Sequence, residues 1–437
     1  MLIFVQHTSS RLLYVLQFIE SVIHEKIEVT TNAQYFNESN AVKINYSNTS
    51  FSEVAYHIQP HTLLFETSIH SINILVTNCR GNQCFFQNET DNHGFDIFAA
   101  IFYLITRYEE YLPHEKDMYG RYAHTNSLAY QNNFLQTPLV NYWIKDLQEQ
   151  LHKVFPQFSI RNNHFLFIPT YDIDIAFAHQ FQPIYKKVYR FFRAFIKGNV
   201  DAIIEQSQLI SQQKKDPFDV YDWLDDLHKK YFLQPIYFYL LATNNGLYDK
   251  NVLPSNQHFR QFLAHQSRSK IVGIHPSWQS GDSVMSLKNE LQAFAEIVGK
   301  KATLSRQHYI RMELPKTYET LIEHGIEQDF SMGYGSVNGF RASVAAPFYW
   351  FNIANNEATN LQIMPFCFME ANAYFEEKLS VEEAFTQLLK MFREVECVNG
   401  MVITIFHNHF LTTQPQWIAW RKMYEQFLQQ TFSKTSD

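Results

Sequence analysis

The sequence predicts an α/β protein in two parts, a small α/β region over residues 1–160 and a larger parallel α/β region over residues 161–437. Three observations lead there. A chain of 437 residues exceeds the length at which one hydrophobic core usually stops growing. Before residue 160, short β-rich pieces mix with helical stretches. From residue 165 onward, apolar strand candidates alternate with amphipathic helices, the pattern of parallel strands joined by crossover helices.

In chain order, the first region offers strand candidates at Thr62-Leu63-Leu64-Phe65 and Ile72-Asn73-Ile74-Leu75-Val76, and helices over 96–111 and 139–154. Residues 114–136 between those helices are rich in Asp, Gly, Asn and Tyr and lack a sustained period, which fits a long functional loop whose role the sequence does not reveal. In the second region, strands are expected over 165–174, 235–242, 270–275 and 401–407, and a helix over 287–298. Another helix is expected to start at Asp216-Pro217, with Asp as the cap and proline in the first turn, where its missing N–H costs nothing.

Composition narrows the function. Hydrophobic residues are 46% and charged residues 18%, with 39 Phe and 25 Tyr, which builds a large core and does not suit a disordered chain. A formal charge of −7 without a block of Lys and Arg argues against nucleic acid as a partner. Cys79, Cys84, Cys367 and Cys397 lack CxxC spacing and are too sparse for a disulfide scaffold. The start has no basic segment leading to a signal-type apolar core, so a cytoplasmic location is the expectation. The longest apolar run, 97–105, is far shorter than the roughly 20 residues that span a bilayer and reads as a buried helix, so no membrane insertion is expected.

Four features carry chemistry. Phe165-Leu166-Phe167-Ile168-Pro169-Thr170-Tyr171-Asp172-Ile173-Asp174 is an apolar strand ending in two carboxylates, and alternation sends Asp172 and Asp174 to one side and Tyr171 and Ile173 to the other. At the C-terminal end of a parallel strand, one can bind a metal and the other accept a proton; the alternative is a cap or loop pair. Lys270-Ile271-Val272-Gly273-Ile274 ends in His275-Pro276, where proline stops the strand and leaves His275 at its tip, a ligand position that a hydrogen-bonded core histidine also occupies. Ser305-Arg306-Gln307-His308 sets a permanent cation beside a potential ligand. In the strand running from Met401 to His409, a period of two puts His407 and His409 on one face, for acid–base or metal chemistry or for packing at a rim.

Taken in order, these features resemble the motif series of the polysaccharide deacetylase superfamily, over about residues 165–410. Thr170-Tyr171-Asp172-Ile173-Asp174 resembles its paired acids, His275-Pro276-Ser277-Trp278-Gln279 its HxxxH pair, and Ser305-Arg306-Gln307-His308 its Arg motif. Gly325-Ile326-Glu327-Gln328-Asp329 resembles the Asp motif, and Ile405-Phe406-His407-Asn408 the late His motif. Residues 95–143, including Arg107-Tyr108-Glu109-Glu110-Tyr111, are similar to an uncharacterised domain that precedes such catalytic domains in some bacterial homologues.

The resemblance implies an irregular TIM-like (β/α) barrel behind a smaller α/β N-terminal domain, and a divalent metal, zinc by preference, acting on an N-acetylated carbohydrate. It implies Asp174 and His275 as metal ligands, Asp172 as base, Arg306 with Asp329 orienting that base, and His407 as acid. Two departures stand out. Ile173 separates the two acids, and Gln279 replaces the second histidine of HxxxH. Either His308 or His409 then supplies the third ligand, with His308 favoured, or the site binds metal weakly or is deactivated. The rival functions are a catalytically inactive carbohydrate-binding relative, a metal-independent glycoside hydrolase, and an amidohydrolase acting on a small non-sugar amide. Tyr171, Trp278, Tyr349 and Trp350 are candidates to stack on a sugar face, and Arg341 either meets an anionic substrate or forms a structural ion pair.

Overall fold

The computed structural model describes residues 1–51, 54–161, 163–181 and 215–433. Near the N-terminus, β1 (Leu2–Val5), β2 (Glu28–Thr30), β3 (Lys43–Tyr46) and β4 (Tyr56–His57) form an all-parallel sheet in the order β2-β1-β3-β4. The helix Ser10–Ile23 follows β1; Ser9 caps it by accepting from the Leu12 N–H, and Leu12, Val15, Ile19 and Ile23 form its buried stripe. The apolar run does become a helix, Ile97–Ile105, buried along its whole length. Its cap Asp96 accepts from the N–H groups of Phe98 and Ala99 and from the Tyr46 hydroxyl, which ties the helix to β3.

Both short strand expectations in this region need correction. Thr62–Phe65 is a turn of 3-10 helix, in which Leu63 and Leu64 are both buried and their carbonyls accept from Arg11 and Ser9. With side-chain donors satisfying the backbone, no ladder is needed. Residues 72–76 are irregular, and pairing begins only at β5 (Thr77–Cys79), which forms a hairpin with β6 (Asn82–Cys84).

The main sheet contains nine strands: β7 (Leu166–Ile173), β8 (Ile236–Leu240), β9 (Ile271–His275), β10 (Leu304–Ser305), β11 (Gln328–Asp329), β12 (Phe348–Asn352), β13 (Glu357–Ile363), β14 (Phe368–Met369) and β15 (Met401–His407). Their order is β12-β13-β11-β10-β9-β8-β7-β15-β14, with every pair parallel except the β12–β13 hairpin. Where an irregular TIM-like barrel is expected, the described residues form one mostly parallel sheet that no strand pairing closes. Its edges explain this: β14 is two residues long and pairs only with β15, and at the other edge β12 turns back antiparallel on β13.

Register sorts the side chains onto two faces. Asp172 lies opposite Phe238 and His407, and Phe238 lies opposite Gly273. This face carries a core of its own, with Ile236, Phe238, Phe330, Phe366, Ile403 and Ile405 packed together. The other face sends Tyr171, Tyr237, Tyr239, Val402 and Phe406 into the main core beneath the helices. Gly273 is required by close approach: a Cβ there would lie 2.6 Å from the Phe238 ring.

The expected Asp216 cap also needs correction. The helix runs over Tyr221–Tyr231, and the Asp216 carboxylate instead accepts from the N–H groups of Ala178, His179, Gln180 and Phe218. The helix N-cap is Val220, and the four N–H donors satisfy the acid as a loop clamp. The helix expected over 287–298 spans Val284–Val298. Among the described residues no helix is long and apolar enough to cross a membrane.

A buried ionic cluster joins the two regions. Arg341 donates to both oxygens of Glu110 at 2.8 and 2.6 Å, and Arg107 donates to Glu110 at 2.7 Å, to the Tyr334 hydroxyl at 3.1 Å and to the Arg341 carbonyl. Arg341 is thus a structural ion pair, and both partners are almost fully buried.

Candidate metal centre

The side chains singled out in the sequence gather at the C-terminal ends of the parallel strands. β7 brings Asp172 and, one residue beyond its end, Asp174. β9 ends on His275; Arg306 and His308 follow β10; Asp329 ends β11; His407 ends β15. In a parallel sheet this edge collects the loops and the ligand-bearing residues.

Asp174 is the hub. Its Oδ1 lies 3.2 Å from His275 Nε2, and its Oδ2 lies 3.5 Å from the Nε2 atoms of both His308 and His407. One carboxylate oxygen of Asp174 and one nitrogen each of His275 and His308 lie within 4.8 Å of one another. Asp174 Oδ1 is buried and lacks a hydrogen-bond partner. Each imidazole is fixed from behind: His275 Nδ1–H donates to the Arg306 carbonyl at 2.5 Å, and His308 Nδ1–H to Asp249 at 2.9 Å. That leaves both Nε2 atoms turned to Asp174. A carboxylate and two imidazoles, each held by an outer partner, form a donor set that fits a divalent cation such as zinc.

Charge in the cluster follows from these contacts. Burial disfavours ionised Asp174, but His308 and His407 outweigh it and hold the acid well below the usual carboxylate range. Burial also works against charged His308, yet Asp174 and Asp249 raise it to about 9. His407 is raised against its burial to about 10, chiefly by Glu370 and then Asp174.

Asp172 sits beside this group. Its Oδ1 accepts from Arg306 Nη1 at 2.8 Å, and its Oδ2 lies 3.7 Å from His275 Nε2. Arg306 is entirely buried; it also donates to the Thr170 hydroxyl at 2.7 Å and to the Phe330 carbonyl at 3.0 Å, with its guanidinium 4.5 Å over the Phe238 ring. Asp329 reaches neither Asp172 nor Arg306 by a hydrogen bond. It accepts from the hydroxyls of Ser305 and Ser331 at 2.7 and 3.0 Å, and the Ser331 hydroxyl accepts from the Gln307 N–H, so it braces the segment carrying Arg306 and His308.

Several expectations shift here. The strand ends at His407, and His409 lies on the following 3-10 turn, because Asn408 bends away to donate to the carbonyls of Ile175 and Phe218. His409 is outside the three-ligand group, and burial lowers it to about 3. Gln279 points elsewhere, its amide nitrogen donating to the Asn244 carbonyl and to Asp249, each at 3.2 Å. Tyr171 is not a sugar platform: it is fully buried, stacked on Tyr237 and bonded to His228 and Tyr424. Trp350 is likewise buried, while Tyr349 is exposed on the edge strand β12. Trp278 is half-buried, its ring stacked 4.1 Å from Tyr248 with the Arg311 guanidinium 4.4 Å over it.

Two carboxylates escaped the sequence reading. Asp249 lies in the loop after β8, and Glu370 follows β14 and accepts from both the Nδ1–H and the backbone N–H of His407 at 2.8 and 2.6 Å. Glu370 carries a local signal, an acid directly after an apolar run, whereas Asp249 sits in an Asn- and Gly-rich stretch with no pattern.

Residues 1–156 match the model of a family of unknown function, DUF7033. No curated protein matches the chain. Among solved structures, the chain is similar to the allantoinase PuuE, with 9% identity over 60% of this chain and 83% of that one and a TM-score of 0.37. It is also similar to the polysaccharide deacetylase Bc1974 from Bacillus cereus, with 12% identity, 63% and 95% coverage and a TM-score of 0.30. A third is BA3943 from Bacillus anthracis, described as a CE4 family pseudoenzyme, with 9% identity, 62% and 64% coverage and a TM-score of 0.31. At this level the likeness assigns neither activity nor substrate.

Proposed function

We propose that the chain is a zinc-dependent hydrolase that removes N-acetyl groups from a carbohydrate, with an N-terminal region over residues 1–160 and a polysaccharide deacetylase-like hydrolase region over 161–437. The observation that carries the reading is the convergence of Asp174, His275 and His308 beside the Asp172–Arg306 pair. Asp174, His275 and His308 would hold the metal. When bound, it supplies Lewis-acid polarisation of an amide carbonyl and lowers the pKa of a water.

The chain's own groups do the rest. Arg306 engages Oδ1 of Asp172, which leaves Oδ2 to take a proton from the attacking water. Asp329 keeps the Arg306 segment in register through Ser305 and Ser331. His407, held protonated by Glu370, gives its Nε2 proton to the departing amine. Acetate and a free amine result. Gln279 does not count against metal binding, because His308 stands within reach of Asp174 while the Gln279 amide holds Asp249.

The test is acetate release from an N-acetylated oligosaccharide. The reading requires release that a chelator abolishes and zinc restores, and that Asp172→Asn eliminates. Release untouched by chelator, or cleavage of the glycosidic bond instead, overturns it.

A further inference from the structure

We propose that Tyr119, from the N-terminal region, is a substrate-binding residue of the metal centre, packing its ring against the C–H face of a sugar unit next to the one that loses its acetyl group. The assignment rests on the hydrolase reading of this site and adds a specificity determinant to it.

Residues 115–123 fold as a hairpin. Lys116 bridges Tyr122, Asp117 N–H donates to the Arg121 carbonyl at 2.8 Å, and Ala123 N–H to the Glu115 carbonyl at 3.2 Å. The Asp117 carboxylate accepts from the N–H groups of Tyr119 and Arg121 at 2.9 and 3.0 Å, and Gly120 takes the left-handed conformation the turn needs, with φ +73°. Tyr119 therefore sits at the tip. Arg121 locks the tip onto the main region: it is nearly buried, pairs with Asp117 at 2.6 Å, donates to the Tyr309 carbonyl at 2.8 Å, and lies 4.7 Å from the centre of the Tyr119 ring. Gly335 makes room for it, since a Cβ there would stand 2.0 Å from the guanidinium.

This anchoring brings Tyr119 into a wall of four rings beside a metal ligand. Its ring is 5.4 Å from Tyr309 and 6.1 Å from both Tyr248 and Trp278, and Tyr309 is 4.7 Å from His308. All four rings are half-buried, unlike the core aromatics of this chain. Tyr309 adopts φ 60°, a strained conformation for an aromatic residue that persists only where its surroundings hold it. Half-buried rings at the edge of a polar centre suit a ligand with an apolar face and a polar rim, and a pyranose ring has that form.

The experiment uses the zinc-loaded full chain and oligomers of N-acetylglucosamine of two and five units. Acetate-release kinetics, Trp fluorescence on binding, zinc content and melting temperature are compared for wild type, Tyr119→Ala and Tyr119→Phe. Tyr119→Ala should raise KM for the pentamer by roughly tenfold with kcat within about twofold, with unchanged zinc content, while Tyr119→Phe, which keeps the ring, stays near wild type. An unchanged KM in Tyr119→Ala overturns the assignment, and so does loss of zinc or of melting temperature in that variant, which would make the ring structural. If the wild type binds the pentamer through Tyr119 yet releases no acetate, the hydrolase reading fails and the binding role stands; if it neither binds nor releases, both fall.

Discussion

The Nδ1–H of His308 donates to Oδ1 of Asp249 at 2.9 Å, while the Nε2 of the same ring lies 3.5 Å from Asp174. Asp249 is itself buried and held by the Trp278 N–H at 2.8 Å and by Gln279, so it fixes both the tautomer and the aim of the ring. Asp249→Ala should weaken zinc affinity by about 10- to 100-fold, as loss of an outer partner does elsewhere. Competition with a chelating dye measures it. Gln279→Ala, which leaves Asp249 its other partners, should have a smaller effect.

Glu370 is the main reason that His407 is raised to about 10. A histidine acting as acid loses activity as pH rises through its pKa. Removing the carboxylate charge lowers that pKa, so the alkaline limb of the kcat profile in Glu370→Gln should move down by about one unit or more. An unmoved limb would mean that another group donates the proton.

Much of this site could be read in the sequence because its residues lie at strand ends, where local pattern and function coincide. The apolar run that leads into Asp172 and Asp174 and the proline after His275 mark strand ends in the sequence, and the strands end at Ile173 and His275. His308 is favoured through the resemblance of Ser305-Arg306-Gln307-His308 to the Arg motif. What escaped was set by tertiary contact. Asp249 acquires its role only when the loop after β8 folds beneath Trp278, and Tyr119 only when Arg121 docks its hairpin on Tyr309. His409 leaves the face that strand alternation predicts because the strand ends at His407 and Asn408 turns to donate to two carbonyls. One edge of the sheet is a two-residue strand, too short to announce itself by alternation.

The Glu110–Arg341 pair should hold the two regions together. Removing one partner leaves a charge buried without its counterpart, so Glu110→Gln should destabilise the protein by about 3–5 kcal/mol. Burial disfavours the Glu110 charge, but Arg341 and Arg107 lower its pKa to about 2. Its contribution is therefore present above the unfolded pKa, near 4.5, and fades as pH falls toward 2. Denaturant melts at neutral and acidic pH should show the variant's deficit shrinking with acid.

His228 gives an independent acid signature. Its Nε2 is hydrogen-bonded to the Tyr171 hydroxyl at 2.7 Å, and burial, aided by Lys270, lowers it from 6.5 to about 3. Neutral when folded and protonated when unfolded, it contributes stability above pH 6.5 that is lost as pH falls toward 3. Between pH 6.5 and 5 this amounts to about 2 kcal/mol. His228→Gln should be less stable than wild type at pH 7 and should lose less on acidification, as followed by thermal melts across that range.

The most direct measurement is zinc stoichiometry and affinity in the purified chain and in His275→Ala, His308→Ala and Asp174→Asn, by elemental analysis and titration calorimetry. One ion per wild-type chain is expected, with affinity reduced at least about 100-fold in each variant and the fold retained by circular dichroism. Full occupancy in His308→Ala, or absence of specific binding in the wild type, would contradict a metal centre built on these three side chains.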